Sequence, residues 1–300
     1  MKNTDIVIIG AGIAGLTASI YLKRANANFI LLEGNDAGGQ LNKLKEVENY
    51  PGFKKVSGKE IADSILAQTK ELGIDILKAS VQSILKEPEG FKVVSDVDNF
   101  VTKAVIIATG FARESTSIKG EKEYLGRGVS YCATCDGSFF KGDDVVVYGN
   151  NDVALEEALY LANIVNKLTL VNPDEKLSGD SKLVDNITKA KNATIISGHK
   201  IVEVNGDMFG VSDIKLDDGR SIECHGVFPY VGKKSIGEFL SNLKPEMNNN
   251  FIVTNEEMET NIPGLFAIGD VRDKGLRQLV TASSDGAIAA LASNRFVKSH

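Results

Sequence analysis

The chain has 300 residues but no tryptophan, only three cysteines and only six prolines. Three cysteines are too few for a framework of structural disulfides, and few prolines beside 29 glycines indicate tight turns, not disordered linkers. No apolar run reaches the 18 or more residues of a transmembrane helix. The longest apolar stretch, residues 6–22, is interrupted by glycines and has no clear cleavage site after it, which argues against a signal peptide. We therefore expect a cytoplasmic protein with no membrane span.

Positive charges are outnumbered, with 34 Lys and Arg residues against 40 Asp and Glu residues. The formal net charge of −6 argues against nucleic acid or an anionic membrane as the main partner. A hydrophobic content of 43% with 25% charged residues is ordinary for a globular protein. Because 300 residues exceed what one hydrophobic core usually spans, the length predicts one large or two medium domains.

One sequence pattern occurs twice. A short β-branched strand, a turn, a helix and a second strand occupy residues 5–33 and again residues 144–172. In both copies the second strand ends 23 residues after the first turn glycine, at Glu33 and at Asn172. This order is typical of the βαβ unit of nucleotide-binding folds. The pattern predicts an α/β fold with two Rossmann-like, three-layer domains of the nucleotide-binding type.

The end of the chain resembles a return to the first domain. Residues 251–300 supply two further strands and a final helix, which lie outside the βαβ pattern of the second copy. We therefore predict a first domain made of residues 1–113 and 243–300, with a second domain, residues 114–242, inserted into it.

The first turn reads Gly10-x-Gly12-x-x-Gly15. The first glycine permits the tight turn, the second lets a pyrophosphate approach the backbone, and the third allows close packing of helix on strand. The helix start supplies free N–H groups for the phosphate, and Glu33 can accept hydrogen bonds from the adenosine ribose. A purely structural glycine turn would not account for Glu33, so the motif predicts a bound dinucleotide.

Further motifs follow in order along nearly the whole chain: Gly38-Gly39-Gln40-Leu41, ENYPG at 48–52, Ala108-Thr109-Gly110, CATCD at 132–136, Gly269-Asp270 and Arg277-Gln278. With them the chain resembles the low-molecular-weight thioredoxin reductases. The resemblance implies FAD in the first domain, thioredoxin as a partner, and a homodimer.

The resemblance also implies which residues contact FAD. Gln40 and Asn49 would lie near the isoalloxazine ring, and Asp270 near the ribityl–pyrophosphate region. Arg277 and Gln278 would lie at the flavin edge. The full set is Gly10, Gly12, Ala14, Gly15, Glu33, Gly39, Gln40, Leu41, Asn49, Val81, Thr109, Gly110, Asp270, Arg277 and Gln278.

Cys132 and Cys135 form a C-x-x-C motif followed directly by Asp136. At a helix start the dipole favours one thiolate, so the pair can cycle between dithiol and disulfide. Asp136 can act as acid and base if its site raises its pKa. The resemblance implies that Cys135 faces the flavin and that Cys132 attacks the partner.

The cysteines allow two other interpretations. A zinc site would need further ligands, and only Cys224 and His225 could complete it, from a predicted strand far along the chain. Two buried structural thiols are the other alternative. We expect no metal, and we expect Cys224 to be a small core residue.

The second turn departs from the pattern of the first. Asn151 stands where a glycine would let a pyrophosphate reach the backbone. Familiar NADPH-dependent relatives carry His-Arg-Arg and a further Arg after the second strand, and the matching residues here are Asn172, Pro173, Asp174 and Ser178. These changes argue against NADPH and predict that the second domain serves as a scaffold for the dithiol.

The chain therefore resembles a branch of the family that takes electrons from reduced ferredoxin without a pyridine nucleotide. A ferredoxin near about −400 mV and a thioredoxin near about −270 mV differ by roughly 130 mV, or about 6 kcal/mol for two electrons. Two alternatives stay open. Asp174 or Glu175 could accept hydrogen bonds from the ribose of NADH in a thioredoxin or glutaredoxin-like reductase. A flavin-binding redox sensor without turnover is the other.

Ferredoxins are typically acidic, so docking would need a local basic patch. The candidate patches are Lys54 with Lys55 and Lys59, Lys119 with Lys122 and Arg127, and Lys233 with Lys234.

Overall fold

Runs of β-branched residues form the centre of a parallel sheet in each of two units of the computed structural model. The units are Met1–Ala112 with Lys234–His300, and Arg113–Lys233. The structure describes residues 1–111, 116, 118–231, 238–248 and 250–300. The predicted junction between residues 113 and 114 lies outside the described residues.

The first stretch of the first unit builds most of its sheet. Its elements are β1 (Lys2–Ile9), α1 (Ile13–Arg24), β2 (Phe29–Glu33), α2 (Gly58–Glu71), β3 (Ile76–Lys78), β4 (Val81–Glu87), β5 (Gly90–Ser95) and β6 (Asn99–Ile107). β3, β2, β1 and β6 are parallel neighbours in that order, and β5 and β4 extend the sheet antiparallel. Along β1, Ile6 and Ile8 face one apolar cluster while Val7 and Ile9 face the other. This alternation is expected of a strand that is covered on both faces.

The second unit contains the duplicate of β1, α1 and β2. Its elements are α3 (Ala133–Asp136), β7 (Asp144–Tyr148), α4 (Asp152–Ala162), β8 (Lys167–Asn172), α5 (Ser181–Lys189), β9 (Ala193–Ser197), β10 (Ile201–Gly206), β11 (Val211–Leu216), β12 (Ser221–Glu223) and β13 (Gly226–Pro229). β13, β7, β8 and β9 form a parallel sheet, and β10, β11 and β12 form an antiparallel one. Cys224 is a core residue here, and burial raises the pKa of its thiol to about 12.

The chain then returns to the first unit. The returning elements are β14 (Met247–Asn248), β15 (Phe251–Ile252), β16 (Leu265–Ala267) and α6 (Leu279–Ser299). β16 pairs parallel with β6. Leu240 is already buried in the apolar cluster that holds Ile252 and Leu265. The return therefore precedes residue 243, where the sequence placed it, because Leu240 is apolar and buries in the first unit.

Small residues let α6 pack closely on α1. Ala282, Gly286 and Ala289 are buried on one face of α6. A Cβ on Gly286 would lie 2.4 Å from the carbonyl oxygen of Ala14, so a larger residue there would push the helices apart. The small side chains thus fix the position of the start of α1.

The predicted α/β class with Rossmann-like domains is confirmed. In the first unit β1 and β2 are parallel and joined by α1, and in the second β7 and β8 are parallel and joined by α4. Within the described part of the chain, no helix is both long enough and apolar enough to cross a bilayer.

Candidate functional site

Four strands of the first unit end together at one edge of the sheet. Ile9 of β1 pairs with both Leu32 of β2 and Ile107 of β6, and Ala267 of β16 pairs with Ile107. Ligands of such folds bind at the carboxyl ends of parallel strands. Glu33 is the last residue of β2, and Gly10, Thr109, Gly110 and Asp270 come one to three residues after the ends of β1, β6 and β16, so this edge brings these predicted residues together.

The three glycines of the first turn have different neighbours. Gly10 has a φ of +107°, and a Cβ there would lie 2.4 Å from the oxygen of Ala108. A Cβ on Gly15 would lie 1.9 Å from the oxygen of Gly10. A Cβ on Gly12 would meet no described atom within 4 Å. Packing therefore explains the glycines at positions 10 and 15, whereas the open space over Gly12 is what the approach of a pyrophosphate requires.

Glu33 completes the adenosine side of this cradle. Its Oε2 accepts the N–H of Ala11 at 2.6 Å, and its Oε1 accepts the N–H of Asn35 at 2.7 Å. These bonds fix the carboxylate at the end of β2, and each oxygen keeps a further lone pair. The carboxylate can therefore still accept hydrogen bonds from ribose hydroxyls.

A 3₁₀ helix, Gly39–Lys43, lies beside the glycine turn. Gly38 donates its N–H to the oxygen of Ala11 at 2.8 Å, and a Cβ on Gly39 would lie 3.3 Å from the Cα of Gly12. Leu41 is buried, whereas Gln40 is exposed. The backbone of this segment at Gly39 thus lies next to the open position at Gly12.

Other predicted residues make contacts within the first unit, between its first stretch and the returning segment or inside that segment. Asn49 donates from Nδ2 to Oε1 of Gln278 at 3.0 Å. The guanidinium of Arg277 lies 3.6 Å from the centre of the Phe251 ring. Ala14 is buried at the start of α1, where its Cβ would lie 3.1 Å from a Cβ on Gly269.

Val81 does not follow one of these four strands. It begins β4, three residues after Lys78, whose register partner on β2 is Glu33.

Asp270 supplies a buried acceptor at this edge. Its Oδ1 is shielded from solvent, and no described residue hydrogen-bonds it. Burial raises the pKa of this carboxyl above its usual range, while Lys274 and Arg277 oppose the rise. A buried acceptor without a donor costs about 1–3 kcal/mol. A ligand hydroxyl or N–H would remove that cost, so the residues present fit a bound dinucleotide such as FAD.

Asp285 of α6 holds the Gly269–Asp270 turn and was not predicted. Its Oδ2 accepts the N–H of Gly269 at 3.0 Å and Nζ of Lys274 at 2.8 Å, and its Oδ1 accepts Nη1 of Arg272 at 3.2 Å. It is the one charged residue on the face of α6 that packs on α1. A lone acid on a face of small residues is a signal that the sequence contains.

The two cysteines of the C-x-x-C motif form a disulfide, with a Cα–Cα distance of 5.3 Å. Cys132 caps the single turn of α3, and Cys135 donates its backbone N–H to Sγ of Cys132 at 3.1 Å. Both residues are half-buried. The pair thus lies at a helix start, as the motif predicts. Among the described residues, no three His, Cys, Asp or Glu side chains are grouped to hold a metal ion.

Asp136 lies beside the disulfide in a partly buried position. Burial raises the pKa of its carboxyl, and a hydrogen bond from Ser130 Oγ to Oδ2 at 2.6 Å opposes the rise. A raised pKa lets the carboxyl hold its proton at a higher pH than an exposed aspartate, which suits a proton donor to a thiolate. Ser130 has no motif of its own and was not predicted.

The segment before the disulfide is fixed by a buried acid. Glu121 is 1% exposed, and its two oxygens accept the hydroxyls of Tyr131 and Thr116 at 2.6 and 2.7 Å. Tyr131 directly precedes Cys132, so Glu121 orients the approach of the chain to the dithiol.

The second turn is closed by its own side chains. Asn151 is the N-cap of α4; its Oδ1 accepts the N–H of Ala154 at 3.0 Å, and its Nδ2 donates to the oxygen of Tyr230 at 3.0 Å. At the equivalent position of α1, Gly12 has no side chain that could accept such a bond. The N–H groups that would hold a phosphate in the second unit are therefore partly engaged.

The loop after β8 is fastened to the same turn. Asn150 donates from Nδ2 to Oδ2 of Asp174 at 2.7 Å and to the oxygen of Lys176 at 3.1 Å, and its Oδ1 accepts the N–H of Ser178 at 2.6 Å. Asp152 accepts the N–H of Asp180 at 2.7 Å. These bonds join the loop to the start of α4.

The chain is similar to proteins of one family over nearly its whole length. The family profile "Pyridine nucleotide-disulphide oxidoreductase" matches residues 4–286. A thioredoxin reductase of Listeria innocua is 39% identical over 302 residues, covering 99% of this chain and 95% of its own. The crystal structure of a thioredoxin reductase from Streptococcus pyogenes has a TM-score of 0.90 at 35% identity and 99% coverage of both chains. A ferredoxin-flavin thioredoxin reductase from Clostridium acetobutylicum has a TM-score of 0.56 at 30% identity, with both chains fully covered.

The different surroundings of Gly12 and Gly15 lead to a prediction. Gly12→Ala should leave the unfolding free energy of the FAD-free protein within about 1 kcal/mol of wild type, because the methyl group has room. It should weaken FAD binding about tenfold or more, because the methyl group occupies the space of the pyrophosphate. Gly15→Ala should instead destabilise the FAD-free protein by about 1–3 kcal/mol, since the Gly10 carbonyl must move. Denaturant titration and flavin fluorescence titration measure the two effects. Wild-type FAD affinity in Gly12→Ala would contradict the assignment of the cradle.

Proposed function

The chain belongs to the pyridine nucleotide-disulphide oxidoreductase family, and within it to the thioredoxin reductases. We propose that it reduces thioredoxin with electrons from ferredoxin instead of NADPH. Membership establishes the coarser function: the protein is an FAD-dependent disulfide oxidoreductase of the thioredoxin reductase type. The identity of the electron donor is the part that we propose.

The closed second turn is the observation that supports this donor. A pyridine nucleotide in the second unit would need the N-terminal N–H groups of α4, and Asn151 already accepts one of them. The 2′-phosphate of NADPH would also need cations after β8. The chain instead has Pro173 and the carboxylate of Asp174 there, which would repel a phosphate.

NADH is the second candidate, because a carboxylate after β8 can accept hydrogen bonds from a free ribose diol. Asp174 occupies that position, but its Oδ2 already accepts the Nδ2 of Asn150. NADH would still need the start of α4 for its pyrophosphate. A redox sensor without turnover is the third candidate, and the disulfide with Asp136 beside it favours an enzyme instead.

The similar proteins do not agree on one electron donor. The ferredoxin-flavin thioredoxin reductase of Clostridium acetobutylicum aligns with the whole chain at 30% identity. A relative named only thioredoxin reductase is more similar, at 39%. The similarity of the whole chain therefore does not select the donor, and the residues of the second turn carry the proposal.

The proposed reaction assigns a role to each residue of the dithiol. Two electrons and two protons convert the Cys132–Cys135 disulfide into two thiols, and Asp136 holds the proton that is exchanged with a thiolate. The Cys132 thiolate attacks one sulfur of the thioredoxin disulfide and forms a mixed disulfide. Cys135 then attacks Sγ of Cys132, which releases thioredoxin as a dithiol.

Bound FAD would supply what the side chains lack, the ability to accept single electrons and release them in pairs. We propose that the predicted set from Gly10 to Gln278 holds it, with Glu33 at the ribose and Asp270 at the buried end of the cradle. The reaction needs a reducing compartment, which agrees with a cytoplasmic location.

Several lysines of the candidate docking patches are paired with acids. Lys55 is 2.6 Å from Glu46, Lys59 pairs with Asp63, and Lys119 pairs with Glu203. Lys233 and Lys234 lie outside the described residues. Pairing lowers the net positive charge of the first two patches, so docking of an acidic ferredoxin would depend on Lys54, Lys122 and Arg127 among the described candidates.

A donor panel tests the proposal. The FAD-loaded protein is mixed anaerobically with NADPH, NADH or stoichiometrically reduced, desalted ferredoxin, and the loss of flavin absorbance is followed. We expect ferredoxin to bleach the flavin rapidly, and full bleaching should take four equivalents, because the flavin and the Cys132–Cys135 disulfide each accept two electrons. We expect NADPH to act about a hundredfold more slowly or worse, because a missing phosphate site removes about 3 kcal/mol or more of binding. Rapid bleaching by NADPH would refute the proposal, and rapid bleaching by micromolar NADH would select the second candidate.

Single replacements of the two cysteines test their roles. Cys132→Ser should keep FAD and flavin reduction but lose thioredoxin reduction. Cys135→Ser should also lose turnover but keep a thiol that attacks thioredoxin. The probe is a thioredoxin with one active-site cysteine blocked as a thionitrobenzoate disulfide, and release of thionitrobenzoate reports the attack. We expect release and a covalent complex with Cys135→Ser. Covalent capture by Cys132→Ser instead would exchange the two roles.

We also propose a homodimer, as the family resemblance implies. Val280, Ile288 and Leu291 of α6 are 36–44% exposed, which leaves apolar surface on the outer face of a helix whose inner face packs on α1. Sedimentation of the FAD-loaded protein should give twice the mass of the chain. Ile288→Arg should shift the equilibrium towards the monomer, whereas Lys298→Arg, also on α6, should leave it unchanged. A wild-type monomer at micromolar concentration would contradict the homodimer.

A further inference from the structure

A carboxylate from α4 lies under the redox-active turn. Oε2 of Glu157 accepts the backbone N–H of Ala133, the residue directly after Cys132, at 2.7 Å. The hydroxyl of Tyr230 donates to the same oxygen at 3.1 Å and lies 3.1 Å from the nitrogen of Ala133. Ala133 is fully buried and Tyr230 is 3% exposed. The carboxylate is thus held against the first N–H of α3 by groups that are shielded from water.

This position matters for the chemistry of Cys132. Backbone N–H groups at a helix start stabilise a cysteine thiolate, and Cys135 N already donates to Sγ of Cys132. Glu157 takes the neighbouring N–H and adds a negative charge at the same end of the turn. A like charge close to a thiol disfavours the thiolate and raises the pKa of the thiol.

The other titratable groups around the turn do not reverse this effect. Asp136 belongs to α3 itself, and Tyr160 of α4 lies against Gly137. Tyr131 and Glu121 approach from the preceding segment. These groups are acidic or phenolic, so each of them either is neutral or adds negative charge.

We propose that Glu157 sets the acidity of the Cys132 thiol and makes the dithiol a stronger reductant. The carboxylate destabilises the thiolate of the reduced form, whereas the disulfide carries no charge and is unaffected. Reduction, with its two electrons and two protons, becomes less favourable, and the dithiol gives its electrons to a partner disulfide more readily. The proposal rests on Cys132–Cys135 being the redox pair and does not depend on the electron donor.

The test uses the FAD-loaded protein with Glu157→Gln. The amide oxygen can still accept the N–H of Ala133, so the change removes the charge and keeps the bond. The pH dependence of alkylation of reduced Cys132 by iodoacetamide, read by peptide mass, gives the thiol pKa. We expect this pKa to fall by about one unit, so that the thiolate fraction rises about tenfold below the pKa.

The redox equilibrium supplies a second readout. In exchange with dithiothreitol, in which the enzyme disulfide is reduced as dithiothreitol is oxidised to its cyclic disulfide, the Glu157→Gln equilibrium should shift up to about tenfold towards the reduced enzyme. That factor corresponds to about 30 mV. Glu156→Gln is the matched control, because Glu156 is the exposed neighbour on the same helix. It should leave both quantities unchanged.

Tyr230→Phe separates an electrostatic effect from loosened packing. It removes the hydroxyl that donates to Glu157 and leaves the carboxylate less neutralised, so the pKa of Cys132 should rise. Loosened packing around the turn would instead shift the pKa of Cys132 in the same direction in Glu157→Gln and Tyr230→Phe. An unchanged or raised pKa in Glu157→Gln, or a fall or no change in Tyr230→Phe, would overturn the proposal. If Glu157→Gln fails to fold, the result for Tyr230→Phe decides. A wild-type protein whose Cys132 is not released by dithiothreitol would instead contradict the redox pair itself.

Discussion

An α-helix begins with backbone N–H groups that its own turns cannot bond, and each unit of this protein satisfies them differently. In the first unit α1 begins at Gly12, which offers no side-chain oxygen and leaves open space above its Cα. In the second unit α4 begins at Asn151, whose amide oxygen accepts one of the N–H groups and whose nitrogen donates to Tyr230. The same βαβ geometry therefore leaves one helix start available to an anion and engages the other within the chain. The division of labour that we propose for the units, cofactor binding in one and dithiol support in the other, rests on this difference.

Hydrogen-bonded acids fix the chain at three places in the described structure, and two of them, Asp285 and Glu121, are buried. Asp285 ties the Gly269–Asp270 turn to α6 through three donors, Glu121 holds the segment that leads to Cys132, and Glu157 holds the N–H after it. A buried carboxylate is costly unless it is hydrogen-bonded, so Asp285 and Glu121 also determine where their donors must lie. Asp270 is different, because its Oδ1 has no donor among the described residues. The contrast distinguishes the acids that organise the protein from the one that is left for a ligand.

The sequence predicted features that depend on local chemistry. The equal spacing of the two copies predicted two Rossmann-like units, the glycine pattern predicted the turn at Gly10–Gly15, and Asn151 predicted the altered second turn. It did not predict Ser130, Glu157 or Tyr230, because these residues reach the dithiol through tertiary contacts between separate elements. The sequence shows Asp285 as a charge on a helix face of small residues. It does not show that Gly269, Arg272 and Lys274 donate hydrogen bonds to Asp285. Leu240 shows the same limit: only packing against Ile252 and Leu265 reveals that the chain has already returned to the first unit.

The closed turn of the second unit has a consequence for how the protein responds to cofactor supply. A bound cofactor stabilises a folded domain by mass action, so that its contribution vanishes when the free cofactor becomes scarce. In the second unit Asn150, Asn151 and Asp152 bond the helix start and the loop after β8 intramolecularly, at an effective concentration that never changes. Under the proposed function, the scaffold of the dithiol therefore does not depend on nucleotide supply. A shortage of FAD would lower the folding stability of the first unit, whereas the second unit would keep the redox cysteines in place.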